Sequence, residues 1–222
     1  MTPRPRTPPG SRGTAERDLV TATGAKVAFL ACGAVAQDTA ALIERHGWQA
    51  DVHGISSDLH MTPLEIAPAV EAKLKVLLPK YERVIVVYGD CGTGGRLDAV
   101  LARYPAARPA GFHCFQWYAG ELYKRMEDDI GIYFLTDWLV SNWDRAVIKG
   151  LGLDRFPWLR ETYFGNLSRV LFVRQHPDPE REAKAREIAD YMELPLEIHD
   201  LGIEPLDDLL TPLMEETDDV RT

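Results

Sequence analysis

Apolar runs separated by helix-patterned segments, with turns at the ends of those runs rich in glycine, predict an α/β fold: a mostly parallel, doubly wound, Rossmann-like sheet with helices on both faces. The clearest single observation is "RVIVVYG" at 83–89, β-branched and continuously apolar, as a central parallel strand covered on both faces must be. The second is that three further runs, "KVAFLACG" at 26–33, "GIYFLT" at 131–136 and "SRVLFV" at 168–173, are each followed by a helical pattern.

In chain order, "KVAFLACG" reads as a strand and "QDTAALIERHGW" as a helix closed by Gly47. "HMTPLEI" at 60–66 offers Thr62 as N-cap, Pro63 at the first helical position and Glu65 at the capping-box position. Pro68 interrupts that pattern, so the helix is expected to restart and run through Val70, Leu74 and Leu77. After the 83–89 strand, "GRLDAVLARY" gives a short helix. "ARPAGFHCF" at 107–115 is the next candidate strand, weakened by its prolines and glycine. Asp137 is expected to cap "WLVSNWDRAVIKG", in which Leu139, Val140, Trp143 and Val147 share one face. A helix opened by Asp178-Pro179 and the strand "LPLEIHD" at 194–200 follow, and "DLLTPLMEETDDV" reads as an amphipathic helix running into an acidic end. No internal repeat is present. The expected organisation is a disordered Pro/Arg-rich tail over 1–23, one α/β domain over 24–212 and an acidic tail over 213–222.

The 222 residues are 45% hydrophobic and 27% charged, enough for a self-sufficient core without metal or disulfide staples. Twenty-five Lys plus Arg against 34 Asp plus Glu leave a net charge of −9. That balance opposes the phosphate neutralisation on which nucleic-acid binding rests, and likewise an anionic membrane surface. The one basic stretch, "MTPRPRTPPGSRGTAER", lacks the apolar segment of a signal peptide, and no apolar run approaches the roughly 20 residues needed to cross a bilayer. A cytoplasmic location is expected, where the three cysteines would be free thiols.

Those cysteines are the chemical signal. Cys32 ends the first strand, Cys91 ends the 83–89 run, and Cys114 follows the 107–115 candidate, so all three fall on the carboxyl rim where an open α/β sheet binds its ligands. A single strand-end cysteine is ordinarily a small buried hydrophobe, but three packing cysteines have no reason to share one edge. Gly33, Gly92, Gly94 and Gly95 let the backbone turn sharply and approach an ion or ligand, and their N–H groups can stabilise thiolates. "GDCGTGG" matches neither common phosphate-loop pattern. An anion-binding turn partnered by Arg96 is nonetheless the competing reading. Three thiolates leave a tetrahedral zinc site one ligand short: His60, in the loop before a helix, is freer to supply it than His113, whose neighbour Cys114 would point the other way in extended chain. Alternatively the three cysteines hold a four-iron, four-sulfur cluster with one iron open to substrate. Asp90, beside Cys91, is a candidate general base or a plain turn former. Trp117, Tyr118, Trp138 and Trp143 are expected mainly in the core.

The blocks "YGDCGTGG", "GFHCFQWYAG", "GIYFLTDWL" and "ETYFGNLSRVLFV" resemble, over roughly residues 26 to 200, an uncharacterised family, the domain of unknown function 1638. The family tends to carry an acidic residue before the last cysteine, where this chain has His113. Its members are often encoded near corrinoid-dependent methylamine-type methyltransferases and their corrinoid proteins, which implies one-carbon or methylated-amine metabolism. The resulting expectation is a cytoplasmic protein whose Cys32, Cys91 and Cys114, with His60, bind zinc or an open-site cluster. It would act on a small-molecule substrate as an enzyme or accessory factor in corrinoid-linked methyl metabolism, with a corrinoid protein or methyltransferase as possible partner. The alternative is a non-catalytic module that holds a small anion or a corrinoid partner on the glycine-rich rim.

Overall fold

The structure, a computed structural model, describes residues 24–126 and 128–215; the expected N-terminal tail and positions 216–222 lie outside the described residues. The first half contains β1 (Val27–Cys32), α1 (Ala36–His46), β2 (Ala50–Ile55), α2 (Ile66–Leu77), β3 (Arg83–Val87), α3 (Arg96–Leu101), β4 (Ala106–Ala107), α4 (Cys114–Ala119) and α5 (Glu121–Met126). The second contains β5 (Ile132–Leu135), α6 (Asp137–Ser141), a π-helical segment Asp144–Lys149, α7 (Leu159–Phe164), β6 (Arg169–Arg174), α8 (Pro179–Met192), β7 (Leu196–Asp200) and α9 (Glu204–Glu215).

The fold is α/β and every strand pair is parallel, in keeping with the continuous apolar runs. The strands divide between two sheets, one ordered β2-β1-β3-β4 and the other β5-β6-β7. The first sheet stops because β4 is only two residues long: Pro109, lacking an N–H, and Gly111 at φ 123 lead the chain out of extended pairing. The 107–115 segment is therefore not a strand, and Cys114 opens a helix instead of following a long one.

Local signals fare well where they are local. Asp178 caps α8, its carboxylate accepting from Glu180 and Arg181 N–H at 2.8 and 3.2 Å, with Pro179 at the first helical position. At α2 the expected cap moves: Pro63–Glu65 forms a 3₁₀ turn and the α-helix starts at Ile66. Pro68 then falls in the first turn, where its missing N–H would have had no intrahelical partner. At α6 the cap is Thr136, whose hydroxyl accepts from Leu139 N–H at 3.4 Å; Asp137 instead accepts from the Gln175 and His176 N–H groups and pairs with Arg181.

Two apolar clusters form the interior. Strand β1 is buried along its whole length, and β6 alternates, with Val170 and Phe172 facing one cluster and Leu171 and Val173 the other. Helix α9 returns to the first half, packing on α4. Its Asp207 takes His46 at 2.7 Å and Arg45 at 3.4 Å from α1, and its last carbonyls accept from Arg83 of β3.

Candidate functional site

From β1 the chain passes to β2 on one side, then crosses back to β3 on the other. The connections leaving β1 and β3 therefore diverge. In an open α/β sheet such a switch point is where a crevice opens beyond the strand ends. Cys32 is the last residue of β1, and Tyr88, Gly89, Asp90 and Cys91 follow β3 directly.

Gly89 brings the third cysteine there. A Cβ at that position would lie 2.6 Å from the Phe112 carbonyl oxygen, so only glycine allows the 110–113 loop to rest on the turn. Cys91 N–H donates to the same carbonyl at 2.9 Å, and Cys114 follows two residues later as the first residue of α4. The loop is held from the far side as well. Gln116 Oε1 accepts from Phe112 and His113 N–H at 2.5 and 2.9 Å, and Trp117 Nε1 donates to Ala110 at 2.7 Å. Gly33 N–H donates to Ile55 O at 2.9 Å, seating the end of β1 against the loop that carries His60.

The three cysteines are free thiols packed on one cluster, Cys32 buried and the other two half-buried. They lie within electrostatic range of one another. Burial first, then Cys114, pushes the Cys32 thiol up to about 12. Burial, then Cys114 and Cys32, raises Cys91, and burial raises Cys114 to about 11 against the pull of nearby backbone N–H groups. Thiols so placed are neutral and weakly nucleophilic at neutral pH, and any thiolate formed here needs a cation to hold it. Tyr88 is fully buried with its hydroxyl raised by burial and by all three cysteines. That hydroxyl lacks a partner of good hydrogen-bonding geometry, although the Cys32 thiol is close enough to act on it. A buried phenol left this way is uncommon and points to a group the chain alone does not supply.

His60 stacks on Tyr88 with ring centroids 5.7 Å apart and 17° between planes. Its Nδ1 lies 2.8 Å from the Ser57 carbonyl, which only accepts, so Nδ1 carries the proton and Nε2 offers its lone pair. Burial keeps the imidazole neutral by lowering its pKa. His113, stacked on Phe115 at 4.9 Å, lies near both Asp90 and His60, and burial lowers its pKa too. Cys32, Cys91, Cys114 and His60 are thus brought to one region, with soft sulfur and imidazole donors of the kind zinc and iron–sulfur groups take. Among the described residues, no group of three or more His, Cys, Asp or Glu side chains stands at metal-holding spacing. The donor types fit a metal, and the side chains would have to converge further to close on one.

Asp90 organises the glycine-rich turn: its carboxylate accepts from the Thr93 hydroxyl and from Gly94 and Gly95 N–H at 3.1 and 2.9 Å. Burial raises its pKa, and these hydrogen bonds overcome that and hold it below the usual carboxylate value. The turn-forming role describes it better than that of a base. The same bonds occupy N–H groups that an anion would have used, and Arg96 is exposed at the start of α3. Gly92, Gly94 and Gly95 all have φ between 63° and 87°, as the turn requires.

A cavity of about 630 Å³ opens beside the cluster, walled at one end by Cys114 and His60 and elsewhere by Phe115, Tyr133, Phe134 and Trp138. Trp138 faces this space, whereas Trp117, Tyr118 and Trp143 are core. Tyr88, Tyr133 and the π-helical wall were not singled out from sequence. Tyr88 sits one residue before the Gly-Asp-Cys turn, and that adjacency is the signal that would have found it.

The family model described as a protein of unknown function (DUF1638) matches residues 55–210, which takes in His60, Cys91 and Cys114 and leaves β1 with Cys32 outside. No curated protein matches the chain. No solved structure matches it either. Among the described residues no helix is long and apolar enough to cross a membrane.

Proposed function

The chain belongs to the DUF1638 family, and we propose that it is a metal-binding protein whose Cys32, Cys91 and Cys114 hold either zinc, with His60 at the fourth position, or an iron–sulfur cluster with one iron open. The observation that carries this reading is that every cysteine of the chain, from three separate segments, reaches the same switch-point crevice beside a buried tyrosine hydroxyl without a well-aligned partner.

His60 is prepared for ligation by its Ser57 bond, which fixes the tautomer in the manner of metal-bound histidines. The three thiols, all raised by burial and Cys32 and Cys91 by neighbouring cysteines as well, lose their protons when a divalent cation offsets these effects, so loading releases protons. When bound, the cluster would offer its open iron for direct coordination of a substrate, and zinc would supply Lewis-acid activation if it took on a further ligand. Tyr88 is placed to donate a hydrogen bond to a sulfur or to a group bound there, and the cavity beside Cys114 and His60 gives access. A role as enzyme or accessory factor in corrinoid-linked methyl metabolism is supported only by the setting in which the family's genes occur.

The test is the metal content and visible spectrum of protein purified without oxygen. One zinc per chain, or a brown chromophore with iron and sulfide, is expected, and Cys91→Ser should lose it with little change in far-ultraviolet circular dichroism. Wild-type protein free of zinc and iron after loading with either would end the reading.

A further inference from the structure

We propose that the cavity beside Cys114 and His60 binds a small amphipathic monoanion, an apolar ring-sized body bearing one carboxylate. Its size, about 630 Å³, is that of a small-molecule pocket. Much of its lining is apolar and aromatic: Phe115 and Phe134, stacked with centroids 4.8 Å apart and 10° between planes, line it together with Tyr133, Trp138 and Leu139. A planar or branched apolar group gains most on such walls.

The charges lie at the mouth. Arg145, Lys149 and Asp58 line it, and Arg145 pairs with Asp58, leaving one unmatched positive charge on a chain whose net charge is −9. The Arg145 guanidinium, 5.8 Å over the Trp138 ring and paired with Asp58, is held in place, and Lys149 beside it is the cation left for an incoming carboxylate. The surplus charge disfavours an amine, and being single it matches a monoanion better than a dianion.

The backbone presents these groups by a device that is costly without a use. Asp144–Lys149 is π-helical, and Arg145, Ala146 and Lys149 all reach the cavity from it. It ends at Gly150, where a Cβ would lie 2.2 Å from the Ala146 carbonyl oxygen and 2.7 Å from the Met61 methyl.

That this ligand is the substrate of the thiol centre rests on the metal reading above; its binding to the cavity does not. Calorimetric titration of metal-free, full-length protein with indole-3-acetate, indole-3-acetamide and tryptamine tests it. The acetate should bind at least about tenfold more tightly than the amide, as a charge-assisted bond implies, with no binding of the amine. Arg145→Gln with Lys149→Ala, both at exposed positions, should shrink that preference to about twofold by removing the charge-assisted bonds. Ala146→Trp, filling the cavity, should abolish binding; if its melting curve shows it unfolded, Leu139→Trp takes its place. Equal affinity for the three ligands, undiminished binding in the filled variant, or acetate alone binding as well as indole-3-acetate would overturn the proposal. Cys91→Ser separates the two readings: it should lose metal and still bind indole-3-acetate. Retained metal there counts against the thiol centre alone, and lost ligand binding in the folded wild type counts against the cavity alone.

Discussion

Cys91 occupies a backbone conformation that its side chain disfavours. Its φ of 46° is left-handed, in a turn whose glycines lie at 87°, 63° and 82°. A residue with a Cβ held there costs on the order of 1 kcal/mol, and such strain persists where something other than stability keeps the side chain. Cys91→Gly in metal-free protein should therefore leave the melting temperature unchanged or raise it by a few degrees, while removing metal retention. A loss of more than about 1 kcal/mol would mean that the thiol's packing outweighs the strain it imposes. Gly89 is the contrasting case. With the Phe112 oxygen 2.6 Å from where its Cβ would go, Gly89→Ala should destabilise by about 2 kcal/mol or more and detach the Cys114 loop from the turn; chemical denaturation would measure it. The sequence marks the left-handed glycines because they cluster in a turn. Gly89 carries no such mark, since its necessity comes from a loop more than twenty positions away in the chain.

The element scale separates what is legible from what is not. Asp178-Pro179 and Gly47 start and stop helices through contacts within a turn, so sequence reads them directly. Cys32 and Cys91 could likewise be placed on one rim because strand ends are local, whereas the strand expected to bring Cys114 there does not form, and the loop resting on Gly89 brings it instead. Pro109 and Gly111 mark the end of the first sheet locally, whereas the π-helical wall carries no such mark in its own window of sequence. Helix α2 illustrates a tie of that second kind: Glu71 accepts from Tyr104 at 2.7 Å and pairs with Lys75 at 3.1 Å and with Arg103 at 3.2 Å, joining α2 to the end of α3. The Tyr104 hydroxyl first, then Lys75, holds Glu71 down at about 2 from 4.5. A depressed carboxylate contributes its stability above its unfolded value and loses it as pH falls through the folded one. Melting temperatures of wild type and Glu71→Gln should therefore differ at pH 6, the wild type higher, and converge between pH 4.5 and 2. Because Lys75 and Arg103 are solvent-exposed, their share of the gap should also shrink in high salt. A gap that widened on acidification would contradict the assignment.

At the scale of the whole molecule the question is whether two sheets mean two folding units. Three features tie them together. Strand β6 is hydrophobic on both faces, Leu171 and Val173 joining the cluster around β1 and β3, and Val170 and Phe172 joining the cluster under α8. Helix α9 follows the last strand of the second sheet yet anchors on α1, α4 and β3 of the first. His176, just beyond β6, pairs with Asp38 of α1 at 2.9 Å across the gap between the sheets. Neither half keeps its apolar faces covered if the other unfolds, and the cavity beside Cys114 and His60, lined by residues of both halves, exists only when both are folded. Denaturant unfolding should accordingly be one transition. Far-ultraviolet circular dichroism and the fluorescence of Trp117 in the first cluster and Trp143 in the second, each isolated by replacing the remaining tryptophans with Phe, should share a midpoint. Leu171→Ala, emptying a fully buried site that faces the first sheet's cluster from a strand of the second, should cost about 2–5 kcal/mol and shift all three signals together. A variant in which the Trp143 signal moved while the Trp117 signal stayed would show the sheets to be independent. The cavity would then have to be treated as a cleft between moving parts.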